Sequence, residues 1–363
     1  MPPPPAAKSL LAHYLALIYG LAIVYASLQP FGTWIAPAPG TPFFLFSQWP
    51  LRWTRFDATA NFLAYLPFGF FVALTPRGRP ALARFTTAVS IGAALSFSME
   101  TAQMFLPPRD ASAIDFLFNT GGAATGGALG AAIAQSARAE QAVIALRDQW
   151  FLPGKVGDFG IALLAIWLAV QVNPGISLFA TTFDPEFLAA IAAAPKTASD
   201  LAGVLVIGAT SAFQVLGVGL FLALLLRHRR YVGGAVLLLI ATAVWVKGIA
   251  AAVLLKPAFW EHWLSPGVST GVAVGALLLL IAIFLPRPVR VALAAIALLL
   301  SVLTPMLTPE VVYAHAPLAV FNWSYGHLLN FNGLTRTVLV VWPFAASALL
   351  FALAGLPAWG EPD

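Results

Sequence analysis

The chain has 363 residues, of which 60% are hydrophobic and only 9% are charged. A soluble domain typically carries about a quarter charged residues, because charge keeps its surface hydrated. This chain has too little charge to cover a water-exposed surface of its size. The composition therefore excludes a soluble globular enzyme and predicts an integral membrane protein.

The basic side chains are distributed as in a membrane protein. The net charge of +5 would also suit a nucleic-acid partner, but Lys and Arg occur in short clusters between apolar runs. That distribution is typical of signals that set membrane orientation, so no nucleic-acid partner is expected. The chain contains no cysteine, which excludes disulfides and a thiolate nucleophile.

Apolar runs long enough to cross a bilayer as helices recur along the whole chain. They predict an all-α transmembrane bundle of about ten spans with an even count. The predicted spans are 10–28, 60–76, 84–106, 114–135, 158–174, 200–226, 231–255, 268–285, 289–305 and 335–355.

Orientation follows from the basic residues in alternate loops. Twelve Lys and Arg lie in the loops on the same side as the N-terminus, and six lie on the other side. This bias predicts that both termini are cytoplasmic. The long loops 29–59, 175–199 and 306–334 then fall outside, and their Trp and Pro content suits the outer headgroup zone. A short interfacial helix is expected at 185–194.

Polar residues are concentrated in the first half, at the predicted outer ends of spans 2, 3 and 4. Spacings of three or four residues place acid and amide pairs on one helix face. Three such helix ends can enclose one polar cup, with an arginine in the intervening turn. The residues of this cup are Asp57, Asn61, Glu100, Gln103, Arg109, Asp110, Asp115 and Asn119.

Glu100 is the deepest of these groups. If the third helix stops before Pro107, Glu100 lies about 9 Å below that end, at ~1.5 Å per residue. An ionised carboxylate at that depth requires a partner, and Arg109 and Gln103 are the nearest candidates. A protonated Glu100 is the alternative that the sequence leaves open.

A glycine run follows Asn119 in the fourth predicted span, from Gly121 to Gly130. Small residues at helical spacing let helices approach closely in lipid. The run therefore predicts that the fourth helix is central to the first half. It is not a phosphate-binding loop, because no strand-to-helix turn precedes it.

Taken in order, these residues resemble the VanZ-like membrane proteins. The pattern comprises Asp57, Asn61, Pro67 and Gly69, followed by Glu100, Gln103, Arg109, Asp115, Asn119, Gly121, Gly122 and Gly126. The resemblance implies a VanZ-like domain over 1–140 and a C-terminal transmembrane extension over 141–363. It also implies a bacterial inner-membrane protein whose polar site faces the periplasm or cell exterior. The member that gave the family its name is associated with resistance to the glycopeptide teicoplanin.

The leading functional hypothesis is recognition of an amphiphilic cell-envelope molecule, either a lipid-linked precursor or a glycopeptide-type antibiotic. Its binding residues would be Asp57, Asn61, Glu100, Gln103, Arg109, Asp115 and Asn119. Membrane lipids are the other expected partners, and no cofactor or metal is predicted.

Other hypotheses remain for the same residues. An enzyme would use Glu100, Asp115 or Asp57 as general acid and base on a lipid-linked substrate. A transporter or flippase would require polar groups at mid-depth, where Lys247 is the main candidate. In a purely structural role, the acids, amides and arginine would cap helix ends.

Overall fold

The computed structural model describes residues 9–29, 31–46, 55–107, 109–181, 201–260, 262–304, 321–322 and 326–355. The described residues form helices joined by turns, without a β-sheet, which confirms the all-α prediction. The chain divides into two compact units, an N-terminal unit over 8–148 and a C-terminal unit over 149–363. The predicted interfacial helix at 185–194 lies outside the described residues.

The N-terminal unit is built from four long helices and most of a shorter one. The helices are α1 (Leu11–Leu28), α2 (Arg55–Leu74), α3 (Ala81–Gln103), α4 (Ala113–Gln135) and α5 (Ala137–Trp150). A short 3-10 turn at Phe44–Phe46 interrupts the loop between α1 and α2. Pro67 lies inside α2 without ending it, as is tolerated in transmembrane helices.

The C-terminal unit contains six further helices in the described part of the chain. They are α6 (Gly154–Val170), α7 (Leu201–Leu225), α8 (Val232–Leu254), α9 (Pro266–Ala282), α10 (Arg287–Leu303) and α11 (Gly326–Ala354). The last begins nine residues before the predicted span 335–355, because its polar first turns lie outside the apolar run.

Each of the ten predicted apolar runs is helical in the structure. Six of the described helices are long and apolar enough to cross a bilayer: α1, α2, α3, α7, α8 and α11. The total of ten spans and the cytoplasmic termini remain predictions. The helix α5 was missed, because it is short and carries four charged residues, which removes the apolar run that marks a span.

Glycines hold α2 and α4 together at backbone distance. A Cβ atom at Gly122 would lie 2.1 Å from the Phe62 carbonyl oxygen, and one at Gly126 would lie 1.9 Å from that of Leu66. In lipid, such close approach stabilises helix pairs by dispersion contacts. The predicted central position of the fourth helix is confirmed, since α4 packs on both α2 and α3.

The helix α1 has fewer buried residues than α3 and α4. Ile23 is its only buried residue, whereas Leu17 and Leu21 are more than half exposed. Its close approach to α2 occurs at Gly20, where an added Cβ would lie 3.0 Å from the Phe68 ring. α1 therefore buries few of its residues against the rest of the unit.

In the C-terminal unit, α7 is the central helix and packs against α9 and α10. Three buried aromatic side chains fill the core around α7: Phe221 from α7 itself, and Trp167 and Trp342 from neighbouring helices. The Trp342 indole N–H donates to the Leu163 carbonyl at 2.8 Å. Large rings with one satisfied polar atom suit such a core.

Candidate functional site

The buried face of α3 organises the polar residues of the N-terminal unit. Arg84, Ala88, Gly92, Ser96 and Glu100 recur every four residues and are all buried. This spacing keeps the residues on nearly one face of a helix. The small residues permit close packing against α4, and the polar residues follow at the end of α3 where α4 begins.

The Glu100 carboxylate lies at the start of α4. Its side chain is 3% exposed, and Oε2 accepts a hydrogen bond from the Ser112 backbone N–H at 2.8 Å. Ser112 is the N-cap of α4, and its Oγ accepts from the Ile114 N–H at 3.1 Å. The first N–H groups of a helix have no partner within it and can donate to a carboxyl oxygen. The hydrogen-bond partner of Glu100 is thus a backbone amide. The sequence had suggested the side chains of Arg109 and Gln103 instead.

Gln103 and Arg109 instead bind the C-terminal end of α1. The Gln103 amide donates to the Ser27 carbonyl at 2.8 Å, and Arg109 Nε donates to the same oxygen at 3.0 Å. Arg109 Nη2 donates to the Ala26 carbonyl at 2.9 Å. The last carbonyls of a helix have no partners within it, so these bonds fasten α1 to α3 and to the turn after it.

Arg109 also lies in the electrostatic field of two carboxylates. Burial lowers the pKa of its guanidinium, whereas the charges of Glu100 and Asp115 raise it. A guanidinium has five N–H donors, and the two bonds to α1 leave further donors for an anion. Arg109 can therefore fasten α1 and still contact a ligand.

A second group of polar atoms lies one turn deeper along α3. The Asn119 side-chain amide donates to Ser96 Oγ at 3.0 Å, and the Tyr65 hydroxyl lies near Ser96 and the Glu100 carboxyl group. Asn119 Oδ1 and the Tyr65 hydroxyl oxygen are buried, and neither has a hydrogen-bond partner in the described part of the chain. Such atoms are uncommon and indicate an additional partner, such as water or a ligand group.

We refer to these residues together as the polar cluster: Tyr65, Ser96, Glu100, Arg109, Ser112, Asp115 and Asn119. Of the predicted binding residues, the structure brings Glu100, Arg109, Asp115 and Asn119 into this cluster. Gln103 lies beside it at the end of α1. Asp57 and Asn61 are partly buried on the first turns of α2, eight and four residues before Tyr65 respectively.

Sequence reasoning missed three members of the cluster. Tyr65 follows Asn61 by four residues, and Ser96 precedes Glu100 by four. Helical spacing from the predicted residues would have indicated both. Ser112 acts through its backbone N–H, and only the N-cap pattern before α4 marks its position.

Aromatic residues cover the neighbouring ends of α3 and α4. Phe44 is buried, with its ring centroid 5.7 Å from that of Phe97 and 6.3 Å from that of Phe116. The Ile35 N–H donates to the Phe105 carbonyl at 2.8 Å, which holds the same loop to the end of α3. Trp34 is 55% exposed in this loop. The cluster thus has an apolar neighbour suited to a lipid interface.

The C-terminal unit holds a different set of buried polar groups, around the segment 171–181 that follows α6. The sequence placed residues from 175 onward in a surface loop, but most of 173–181 is buried within the unit. Gln171, Asn173 and Thr181 have no exposed surface. Non-helical backbone inside a membrane protein is tolerated when its polar groups have partners.

Those partners include side chains of α8 and α11. Lys247 Nζ donates to the carbonyls of Asn173 at 2.8 Å and Ile176 at 3.0 Å. The Asn173 amide donates to Asn332 Oδ1 and Thr335 Oγ1 on α11. Lys247 therefore binds backbone carbonyls within the unit.

The bonds at the end of α1 give a first testable prediction. Arg109→Ala removes the donor to the Ala26 carbonyl and is expected to destabilise the N-terminal unit by about 1–3 kcal/mol. Gln103→Leu is expected to cost less, because the Ser27 carbonyl keeps its bond from Arg109. Hydrogen exchange of the last turn of α1 measures both effects. Equal loss of protection in the two variants would contradict the shared-acceptor geometry.

The described residues contain no group of three or more His, Cys, Asp or Glu that could hold a metal ion.

The helical fold and the polar cluster define a polytopic membrane protein, one domain of which is built on helices packed through glycine. Residues 11–134 match the family described as VanZ/LLP1, so this part of the chain resembles a VanZ-like domain, and the C-terminal region lies outside the match. No curated protein and no solved structure matches the chain.

Proposed function

We propose that the chain recognises an amphiphilic cell-envelope molecule, with its polar headgroup at the polar cluster. The observation that carries the proposal is the set of buried polar atoms without partners beside Glu100: Asn119 Oδ1 and the Tyr65 hydroxyl. Glu100 itself uses only Oε2 in a hydrogen bond within the described part of the chain. Three side chains from three helices therefore retain hydrogen-bonding capacity at one place.

The chemistry of the cluster suits a headgroup with hydroxyl, amide or ammonium donors and an anionic group. Glu100 and Asn119 offer acceptors, and Arg109 offers donors suited to phosphate or carboxylate. The exposed aromatic and aliphatic residues of the loop 31–46 would contact the lipid part. Lipid-linked precursors and lipid-bearing glycopeptides combine these features. We place the site at the periplasmic side of a bacterial inner membrane, as the basic-residue bias favours.

Glu100→Gln tests this function while preserving the fold. The glutamine oxygen can still accept from the Ser112 N–H, so the variant mainly replaces Oε1 by an amide group that donates but does not accept. We expect retention of the headgroup to fall about tenfold, since a headgroup donor left without its acceptor costs about 1–3 kcal/mol. The measurement is mass spectrometry of lipids and metabolites that co-purify with the full chain.

Asp110→Asn is the matched control, because it makes the same change at an exposed acid in the adjacent turn. Arg109→Lys is preferable to Arg109→Ala as a second variant, since Arg109 also fastens α1. Expression of wild type and Glu100→Gln in a teicoplanin-susceptible host tests the link to glycopeptide resistance. Wild type that carries only bulk phospholipid, like Glu100→Gln, would refute the recognition site.

An enzyme remains the second candidate, because the Glu100 and Asp115 carboxylates interact electrostatically within the cluster. Paired carboxyl groups can divide the roles of general acid and base. An enzyme predicts that Glu100→Gln keeps its substrate bound and accumulates it. A recognition protein predicts that the molecule is lost, so the same experiment separates the two.

A further inference from the structure

A groove runs along α1 on the side where α2 and α3 meet it. It encloses about 530 Å³, within the roughly 300–1,000 Å³ typical of ligand sites. Its α1 wall contains His13, Leu17, Gly20 and Val24, which share one face of the helix. Eleven residues separate the first and last of these, so the groove extends about 16 Å at ~1.5 Å per residue.

Apolar side chains form most of the walls of the groove. α2 contributes Phe68 and Val72, and α3 contributes Ile91, Ala94 and Leu95. The two hydroxyls that line it are satisfied within their own helices. Thr75 Oγ1 donates to the Val72 carbonyl and Ser98 Oγ to the Ala94 carbonyl, at 2.8 and 2.7 Å. Apart from His13 at one end, the groove therefore offers no polar partner along its length.

One end of the groove is basic. His13 and Thr75 line this end, and Arg77 follows immediately in the turn between α2 and α3. Arg77 is exposed and donates through Nη2 to the Ser9 carbonyl beside the start of α1. Arg79 is also exposed in the same turn. A guanidinium has five donors, so Arg77 retains donors beyond this bond.

No carboxylate balances this charge within the helices of the groove. The sequence contains no Asp or Glu before Asp57 and none from residue 58 to residue 99. Asp57 is at the opposite end of α2, more than four helical turns from Thr75. A basic end whose own helices carry no carboxylate, next to an apolar channel, is complementary to a molecule with an anionic head and a hydrocarbon chain.

The structure assigns this groove to one anionic phospholipid, with its phosphate at Arg77 and an acyl chain between α1 and the α2–α3 pair. The lipid fills the gap that the sparse packing of α1 leaves. This site lies at the opposite end of the N-terminal unit from the polar cluster. It does not depend on the proposed recognition of an envelope molecule.

The test uses the purified full chain in detergent with equal amounts of phosphatidylglycerol and phosphatidylcholine of the same acyl chains. Native mass spectrometry counts the lipid that each variant retains. We expect wild type to retain phosphatidylglycerol preferentially. Arg77→Gln should reduce this preference about tenfold, as for the loss of a charged hydrogen bond. Arg138→Gln is the control, because Arg138 is exposed on α5, a helix that contributes no residue to the groove.

A second variant tests the chain-binding part without altering any charge. Ala94→Trp fills the groove and should reduce the retention of both lipids. Leu82→Trp places the same ring on an exposed position of α3, 72% accessible, and should leave retention unchanged. Equal retention of the two lipids by wild type would overturn the proposal, as would unchanged retention in Ala94→Trp. Hydrogen exchange of α1 confirms that each variant is folded.

Discussion

Alanine at Gly126 is expected to cost the N-terminal unit about 3 kcal/mol of folding stability, the upper part of the usual range for overpacking. The added Cβ would lie 1.9 Å from the Leu66 carbonyl oxygen and 2.8 Å from the Phe70 backbone nitrogen. Both atoms belong to the backbone of α2, so no side-chain rotation can relieve the collision. The two helices must separate, and their other close contacts are lost with them.

Gly121→Ala is the matched control on the same helix. Its Cβ would meet only the Phe62 ring, at 3.7 Å, which is an ordinary van der Waals distance. Hydrogen exchange of the α2 and α4 amides measures the local stability of each variant. We expect strong deprotection in Gly126→Ala and near wild-type protection in Gly121→Ala. Similar protection in both variants would show that α2 and α4 do not pack through Gly126.

Lys247→Met is expected to loosen the buried segment 171–181 of the C-terminal unit. Methionine fills a similar volume but cannot donate to the carbonyls of Asn173 and Ile176. A buried acceptor left without a donor costs about 1–3 kcal/mol, and two are left here. Relief of the desolvation cost of the amine offsets part of this loss. A net loss of about 2 kcal/mol therefore remains.

The effect should be local, because Asn173 remains bound to Asn332 and Thr335 on α11. Faster hydrogen exchange at Gly175 and Phe179, whose amides bind the side chains of Asn173 and Gln171, is the expected result. Lys256→Met is the control, since Lys256 is exposed at the end of α8. Unchanged exchange in Lys247→Met would mean that the two carbonyls do not depend on the amine.

The helices could be predicted from the sequence because apolar runs and bilayer thickness determine their positions together. The bounds of α7 and α8 differ from the predicted ones by one residue at each end. The helix α5 was missed because its charged residues, among them Arg138 and Glu140, remove the signal that a span requires. The buried segment 171–181 was missed because Pro174 and Gly175 indicate a turn but not its depth.

The residue content of the candidate site was largely predictable, but its partners were not. Helical spacing gathered Glu100, Asp115 and Asn119 correctly at one end of the unit. It could not show that Arg109 donates to a carbonyl of α1, or that Glu100 accepts from a backbone N–H. Both contacts depend on the path of the turn between α3 and α4, which the residue pattern leaves undetermined.

The bonds that fasten α1 also impose an order on biosynthesis. The carbonyls of Ala26 and Ser27 receive their donors from residues 76 to 83 positions later in the chain. At about 5–20 residues per second, the ribosome needs roughly 4–16 s to make those donors after α1 emerges. During that interval, the first helix is held by its apolar surface and, once α2 has been made, by its contact with α2 at Gly20. The hydrogen bonds that join α1 to this end of the domain can form only after the turn that follows α3 has been translated.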